Sequence, residues 1–171
     1  MIYVIVSLVL ILLLSIQTTF LKVFSLGGVT PDLILIVVVY CGIHFQKNGG
    51  IGLAVLAGFF QDCLSGNLLG INALSKGLIG LFFSALKDKI IVQGILPVSF
   101  FIFATSLVDG MICFLAMTGL MGAQIKGEFL FSYVLLFGIC NAATGLFLFY
   151  VLDRGRQWVH RKFPTQVFRP I

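Results

Sequence analysis

Two runs decide the fold: Leu8-Val9-Leu10-Ile11-Leu12-Leu13-Leu14 and Leu33-Ile34-Leu35-Ile36-Val37-Val38-Val39-Tyr40. Neither alternates apolar with polar residues. A strand of a membrane barrel does alternate, because one face meets lipid and the other meets the lumen. Unbroken apolar runs read instead as helices, which satisfy their own backbone polar groups in lipid. The apolar character extends outward from both runs until it meets charge, and charge is scarce. Of 171 residues, 60% are hydrophobic and 10% charged, against about 25% charged in an average soluble domain. Mean hydropathy is +1.14. This composition excludes a soluble enzyme, a disordered regulator, which needs the reverse balance, and a nucleic-acid module. The net charge of +5 comes from few residues, whose placement reads as membrane topology.

A bilayer core of about 30 Å takes roughly 20 apolar residues per helix. Charge-free runs mark six spans: Ile2–Leu21, Val29–Phe45, Gly50–Ser65, Ile71–Leu86, Pro97–Thr118 and Phe129–Leu152. Pro97 suits a first helical turn, where its missing N–H costs nothing. Ile90–Leu96 reads as an interfacial lead-in. Met1–Ser15 lacks the basic start and small-residue cleavage site of a signal peptide, so an uncleaved first span is expected. The chain thus divides into one transmembrane domain, residues 1–152, and a short basic tail, residues 153–171.

Lys and Arg in short loops favour the cytoplasmic side. Six spans put Lys47, Lys87, Lys89, Arg154, Arg156, Arg161, Lys162 and Arg169 on one side, with Lys22, Lys76 and Lys126 on the other. The 8-to-3 split makes both termini cytoplasmic. The tail residues Arg154, Arg156, Arg161 and Lys162, with Trp158, read first as a positive-inside anchor with an interfacial aromatic. A sharper reading is a docking patch for a cytoplasmic partner or for anionic lipid.

Catalytic signals are absent. Cys41, Cys63, Cys113 and Cys140 fall inside spans without CxxC spacing, and buried Cys behaves as a small hydrophobe. His44 and His160 have no acidic neighbour in sequence. No nucleophile elbow, HExxH or P-loop is present. No catalytic residue, metal site or cofactor is expected.

Three ionisable residues lie inside spans: Asp62, Lys76 and Asp109. Each costs about 2.5–3.5 kcal/mol at a helix centre, so each needs a structural or functional reason. At ~1.5 Å per residue, Asp62 lies ~18 Å into the third span and Lys76 ~8 Å into the fourth, which returns from the outer side. These depths predict an Asp62–Lys76 contact, direct or through one water. Asp109 lies near the midplane, protonated or hydrogen-bonded to Thr or Asn of a neighbouring helix. The Ser65–Asn72 turn is too apolar for a free loop and is expected to dip into the outer leaflet. Gly66 with Gly70, Gly58 with Ala54, and Gly77 with Ala73 form small-residue pairs that permit close helix approach. Packing within the molecule is their plainest use.

The stretch Thr30-Pro31-Asp32-Leu33, then Gly58-Phe59-Phe60-Gln61-Asp62-Cys63-Leu64-Ser65-Gly66 and Gly70-Ile71-Asn72-Ala73-Leu74 resembles the rod shape-determining protein MreD family. Length, span count and the basic tail also fit, although the fifth and sixth spans match only in hydropathy. The resemblance implies an inner-membrane, non-enzymatic component of the bacterial machinery that elongates the lateral cell wall. It implies association with MreC, and through it with MreB and the peptidoglycan polymerase and transpeptidase. It implies an all-α polytopic fold similar to the S components of vitamin transporters. The patterned positions carried over are Pro31, Asp32, Gly58, Asp62, Ser65, Gly66, Gly70 and Asn72. Asp32 and the Ser65–Asn72 turn, on the same side, could together make an outward-facing surface for a partner. The alternative is an S-component-like subunit that captures a vitamin in an outward-facing pocket. The A-x-x-x-A pattern of such subunits is missing from the first span, which contains no alanine.

Overall fold

The computed structural model describes residues 2–19, 29–44, 47–65, 69–86, 94–121 and 127–162. These residues form six helices: α1 (Ile2–Thr19), α2 (Leu33–His44), α3 (Lys47–Ser65), α4 (Ile71–Leu86), α5 (Ile95–Met121) and α6 (Gly127–Lys162). Each of the six expected spans contains one of these helices; in the second, residues 29–32 precede the helix, which starts at Leu33. Two segments, Ile95–Ala116 and Phe131–Gly155, are long and apolar enough to cross a bilayer; Leu33–His44, Gly49–Ser65 and Ile71–Leu86 are shorter apolar helices. α6 does not stop at Leu152. It continues without a break through Arg154 and Arg156 to Arg161 and Lys162. α5 starts at Ile95, two residues before Pro97, which therefore sits in the first turn, where proline fits. Gly66 lies outside the described residues, as do the centre of the turn it belongs to and the chain beyond Lys162.

The short helix α2 is the axle of the bundle. It packs against α1, α3, α4, α5 and α6, and every residue from Ile34 to Gly42 is buried. This explains why its apolar run has no polar stripe. A helix surrounded by protein on all sides needs none. The core is mainly aliphatic, with Leu13 and Leu14 of α1, Ile34 to Val39 of α2, Ile79 of α4 and Ile102 of α5, joined by the aromatic rings of Tyr40, Phe83 and Phe149. The outward faces are also apolar, with Leu96 83% exposed and Phe131 71% exposed. Exposed apolar surface of this extent suits acyl chains rather than water.

Two antiparallel pairs flank α2. α3 and α4 lie along one another, as do α5 and α6. Small residues set the α3–α4 distance. A Cβ at Gly58 would stand 2.4 Å from the Asn72 carbonyl oxygen and 2.6 Å from Ala73 Cα, and one at Gly80 would stand 2.7 Å from Ala54 Cβ. Gly58, Ala54 and Ala73, expected as small-residue positions, thus serve packing within the molecule, letting the backbones approach where no side chain fits, while the pair of Gly66 with Gly70 lies partly outside the described residues. Gly70 precedes α4 with φ of 103°, a left-handed conformation natural to glycine. Its carbonyl accepts the Leu74 amide at 2.8 Å, so the turn into α4 begins there.

Candidate functional site

The polar residues of this apolar chain converge. Asp32 sits just before α2 and caps it: Oδ1 accepts the amides of Ile34 at 3.0 Å and Leu35 at 3.1 Å. Such a cap satisfies N–H groups that a helix start leaves without partners. Pro31 pre-sets the entry, and both residues are buried. Gln17 of α1 donates to Asp32 Oδ1 at 3.2 Å and Gln61 of α3 to Oδ2 at 3.0 Å. Each glutamine thereby spends one amide N–H on the carboxylate. Their own carbonyl oxygens are buried with no hydrogen-bond partner among the described residues.

Lys76 of α4 completes the ring around Asp32. It is fully buried. Its ammonium lies 3.0 Å from Asp32 Oδ2 and 3.4 Å from Asp109 Oδ1 of α5, and it donates to Asn72 Oδ1 at 2.9 Å. Three donors thus meet three acceptors, which is the full capacity of a lysine head. Ser75, one residue earlier on α4, donates its hydroxyl to the same oxygen of Asp109. From α6, Asn141 Oδ1 accepts the Asp32 amide at 2.7 Å, while its Nδ2 donates to Ser106 of α5 at 3.0 Å. Ser106 in turn donates to the Ile102 carbonyl at 2.7 Å.

Asp62 has a different job from the one its depth suggested. It makes no contact with Lys76. Its carboxylate closes the start of α4 instead, accepting Gly70 N at 2.9 Å, Asn72 N at 3.1 Å, Asn72 Nδ2 at 2.8 Å and Ala73 N at 3.1 Å. An anion is stabilised at a helix N-terminus both by the dipole and by the free amides. Asn72 is the link that sequence depth could not supply: its Nδ2 reaches Asp62 and its Oδ1 accepts Lys76. The expected Asp62–Lys76 pair is therefore corrected to a relay through an asparagine side chain. Asp109 finds Ser75 and Lys76 rather than the Thr or Asn expected for it.

The network takes at least one side chain from each helix or its cap: Gln17, Asp32, Gln61 with Asp62, Asn72 with Ser75 and Lys76, Ser106 with Asp109, and Asn141. Of the patterned residues, Asp32, Asp62, Gly70 and Asn72 belong to it directly. Gly58 supports it by admitting the Asn72 backbone. Ser65 is exposed and donates to the Asp62 carbonyl at 3.4 Å. Asp32 does not stand on an outward-facing surface: it is 5% exposed and its carboxylate points into the bundle. Sequence reasoning missed Gln17, Gln61, Ser75, Ser106 and Asn141. Their signal was available, because each is a hydrogen-bonding side chain inside a predominantly apolar segment, where such groups need partners.

Away from the network, Tyr40 ties α2 to α6 at the opposite end. Its hydroxyl donates to Asp153 at 3.3 Å, and its ring stacks on His44 at 4.3 Å and meets Phe149 edge-on at 5.1 Å. Cys41, Cys63, Cys113 and Cys140 are free thiols. Among the described residues, no group of three or more His, Cys, Asp or Glu side chains could hold a metal ion.

Comparison with curated proteins found no match, and comparison with solved structures found none. A family model, rod shape-determining protein MreD, matches residues 1–155. The match spans the apolar bundle and every residue of the buried network, and the chain belongs to the MreD family of membrane proteins that determine rod shape.

Proposed function

We propose that this chain is a non-enzymatic membrane scaffold of the cell-elongation machinery, which holds MreC and so helps regulate lateral peptidoglycan synthesis. In this reading it crosses the inner membrane six times, as a bundle similar to S components, with both termini cytoplasmic. MreB and the peptidoglycan polymerase and transpeptidase are reached through the complex. The carrying observation is the network that joins all six helices around Lys76. Buried ion pairs contribute little net stability but can fix one arrangement among several. Here they hold six helices in one register, which supports a rigid surface offered to partners. The ammonium's three N–H groups are all engaged internally, which favours holding a shape over capturing a substrate at that point.

The test is affinity purification of the full chain from its native membranes in mild detergent, with identification of what accompanies it. Recovery of MreC and cell-wall synthases is the expected result. Recovery of transporter ATPases in their place would overturn the reading. A fusion reporter at each terminus checks the topology, and periplasmic activity at either end would refute it.

A further inference from the structure

The buried network gives one level from which the helices can be measured. Gln17, Gln61, Lys76 and Asn141 all meet Asp32, and Ser106 meets Asn141. Away from the α3–α4 turn the helices reach similar distances from this level. At ~1.5 Å per residue, Lys47 lies ~21 Å from it, His44 ~18 Å, Leu86 ~15 Å and Ile95 ~17 Å. At the turn end the helices part company. α3 stops at Ser65, ~6 Å past Gln61, and α4 starts at Ile71, ~8 Å before Lys76. The apolar segments of α5 and α6 run on to Ala116 and Phe131, each ~15 Å past the level.

Tilt does not remove this difference. A long helix shortens its reach by tilting, but a short one cannot lengthen, and the bilayer thins to meet it. The hairpin cannot slide along the bilayer normal either. Lys47 opens α3 and Lys87 follows α4, and lysines at helix ends anchor them at the headgroups. From Lys47 to Ser65 is ~27 Å and from Lys87 to Ile71 ~24 Å, against a core of about 30 Å. The shortfall of ~3–6 Å therefore falls in the leaflet at the turn end. The outward face of the hairpin is apolar along its length. Leu56, Phe60 and Leu64 of α3 and Leu74, Leu78 and Leu81 of α4 are 49% to 58% exposed, at helical steps of three or four.

We propose that the α3–α4 face gathers the shorter-chained phospholipids of its membrane and thins the leaflet at the turn, while the α5–α6 side keeps full thickness. The side chains select acyl chains over a second copy of the protein. Helices associate in lipid through small and polar residues. Gly58, Gly80 and Ala54 of the hairpin are turned inward, onto the α3–α4 contact, and bulky leucine and phenylalanine face outward. The inference rests on the bundle lying in a bilayer and needs neither a particular sidedness nor MreC.

The chain has one tryptophan, so Trp158→Phe gives a dark background for a single reporter on either side. Leu78→Trp on α4 and Ile139→Trp on α6 replace residues that are 49% and 53% exposed. Each stands two residues from a network side chain, Lys76 or Asn141, and so near the same depth. The full-length variants are placed in vesicles of two phosphatidylcholines, one short-chained and one long-chained, with either one brominated on its acyl chains. The short lipid is expected to quench Leu78→Trp about two- to threefold more effectively than the long one at equal mole fraction. Ile139→Trp should show parity or favour the long lipid. Leu81→Trp and Phe147→Trp supply a second pair should either reporter misfold. The same selectivity on both sides overturns the proposal while leaving the bundle in the bilayer. So does a preference of Leu78→Trp for the long lipid. Quenching of Ile139→Trp alone would assign the α3–α4 face to a second copy and refute the proposal too. Absence of quenching at both positions would refute the bilayer placement itself.

Discussion

Replacing Lys76 with methionine tests whether the six helices are held by one shared cation. Methionine fills a similar volume and keeps the apolar stem, so the change is electrostatic. It strips Asp32 and Asp109 of the ammonium that sits 3.0 and 3.4 Å away and leaves Asn72 Oδ1 without its donor. Breaking a buried ion pair from one side costs about 3–5 kcal/mol. At ~2–4 °C per kcal/mol for a chain of this size, the midpoint of unfolding should fall by about 6–20 °C. The two carboxylates do not suffer equally. Asp32 keeps four N–H donors, from Gln17, Ile34, Leu35 and Gln61, whereas Asp109 keeps the Ser75 hydroxyl. Adding Asp109→Asn to Lys76→Met should therefore restore about half of the loss, because it removes the less compensated charge. Unfolding in detergent can be followed with a thiol-reactive dye, since Cys41 is buried in the folded state. A Lys76→Met midpoint within ~2 °C of the parent, on the same scale, would refute the reasoning. So would a double variant no more stable than the single one.

Four further outcomes follow from the same geometry. Asp62→Leu removes four hydrogen bonds at the start of α4 and should cost about 2–4 kcal/mol, read as a lower midpoint in the same dye assay. Gly58→Ala forces a methyl group against the Asn72 and Ala73 backbone and should destabilise by about 1–3 kcal/mol. Gly52→Ala, which meets nothing within 4 Å, should be neutral or slightly stabilising in a side-by-side melt. Asn141→Leu strands the buried Asp32 amide and the Ser106 contact. It should cost about 1–3 kcal/mol, and hydrogen exchange should quicken first at the head of α2.

The reading of helices from unbroken apolar runs needed only periodicity and charge, and α3 and α4 end at the residues those cues marked. The site was harder. The Asp62–Lys76 pairing came from depth along two neighbouring helices, and depth does not resolve rotation about the axis. In the folded chain Lys76 turns toward α2 and α5, and its partners stand 44 and 33 residues away in sequence. Asp32 was visible as a charged residue at a helix mouth. That it faces inward depends on Gln17, Gln61 and Asn141, which arrive from three other helices. The apolar run marks where the sixth span ends, at Leu152, but not where its helix ends: α6 carries on to Lys162 through residues with good intrinsic propensity, such as Arg154 and Arg156.

The enclosure of α2 has a consequence for the order of synthesis. Its 12 residues span only ~18 Å, well short of a ~30 Å core, so it is poorly matched to lipid on its own. Its amide at Asp32 waits for Asn141, which is made 109 residues later, or roughly 5–20 s at ordinary elongation rates. Until then an unsatisfied backbone N–H and a short helix must be sheltered by the insertion machinery or by α1 and α3. The bundle closes only when its last helix arrives, so quality control in the membrane can treat an open α2 as the mark of an unfinished chain.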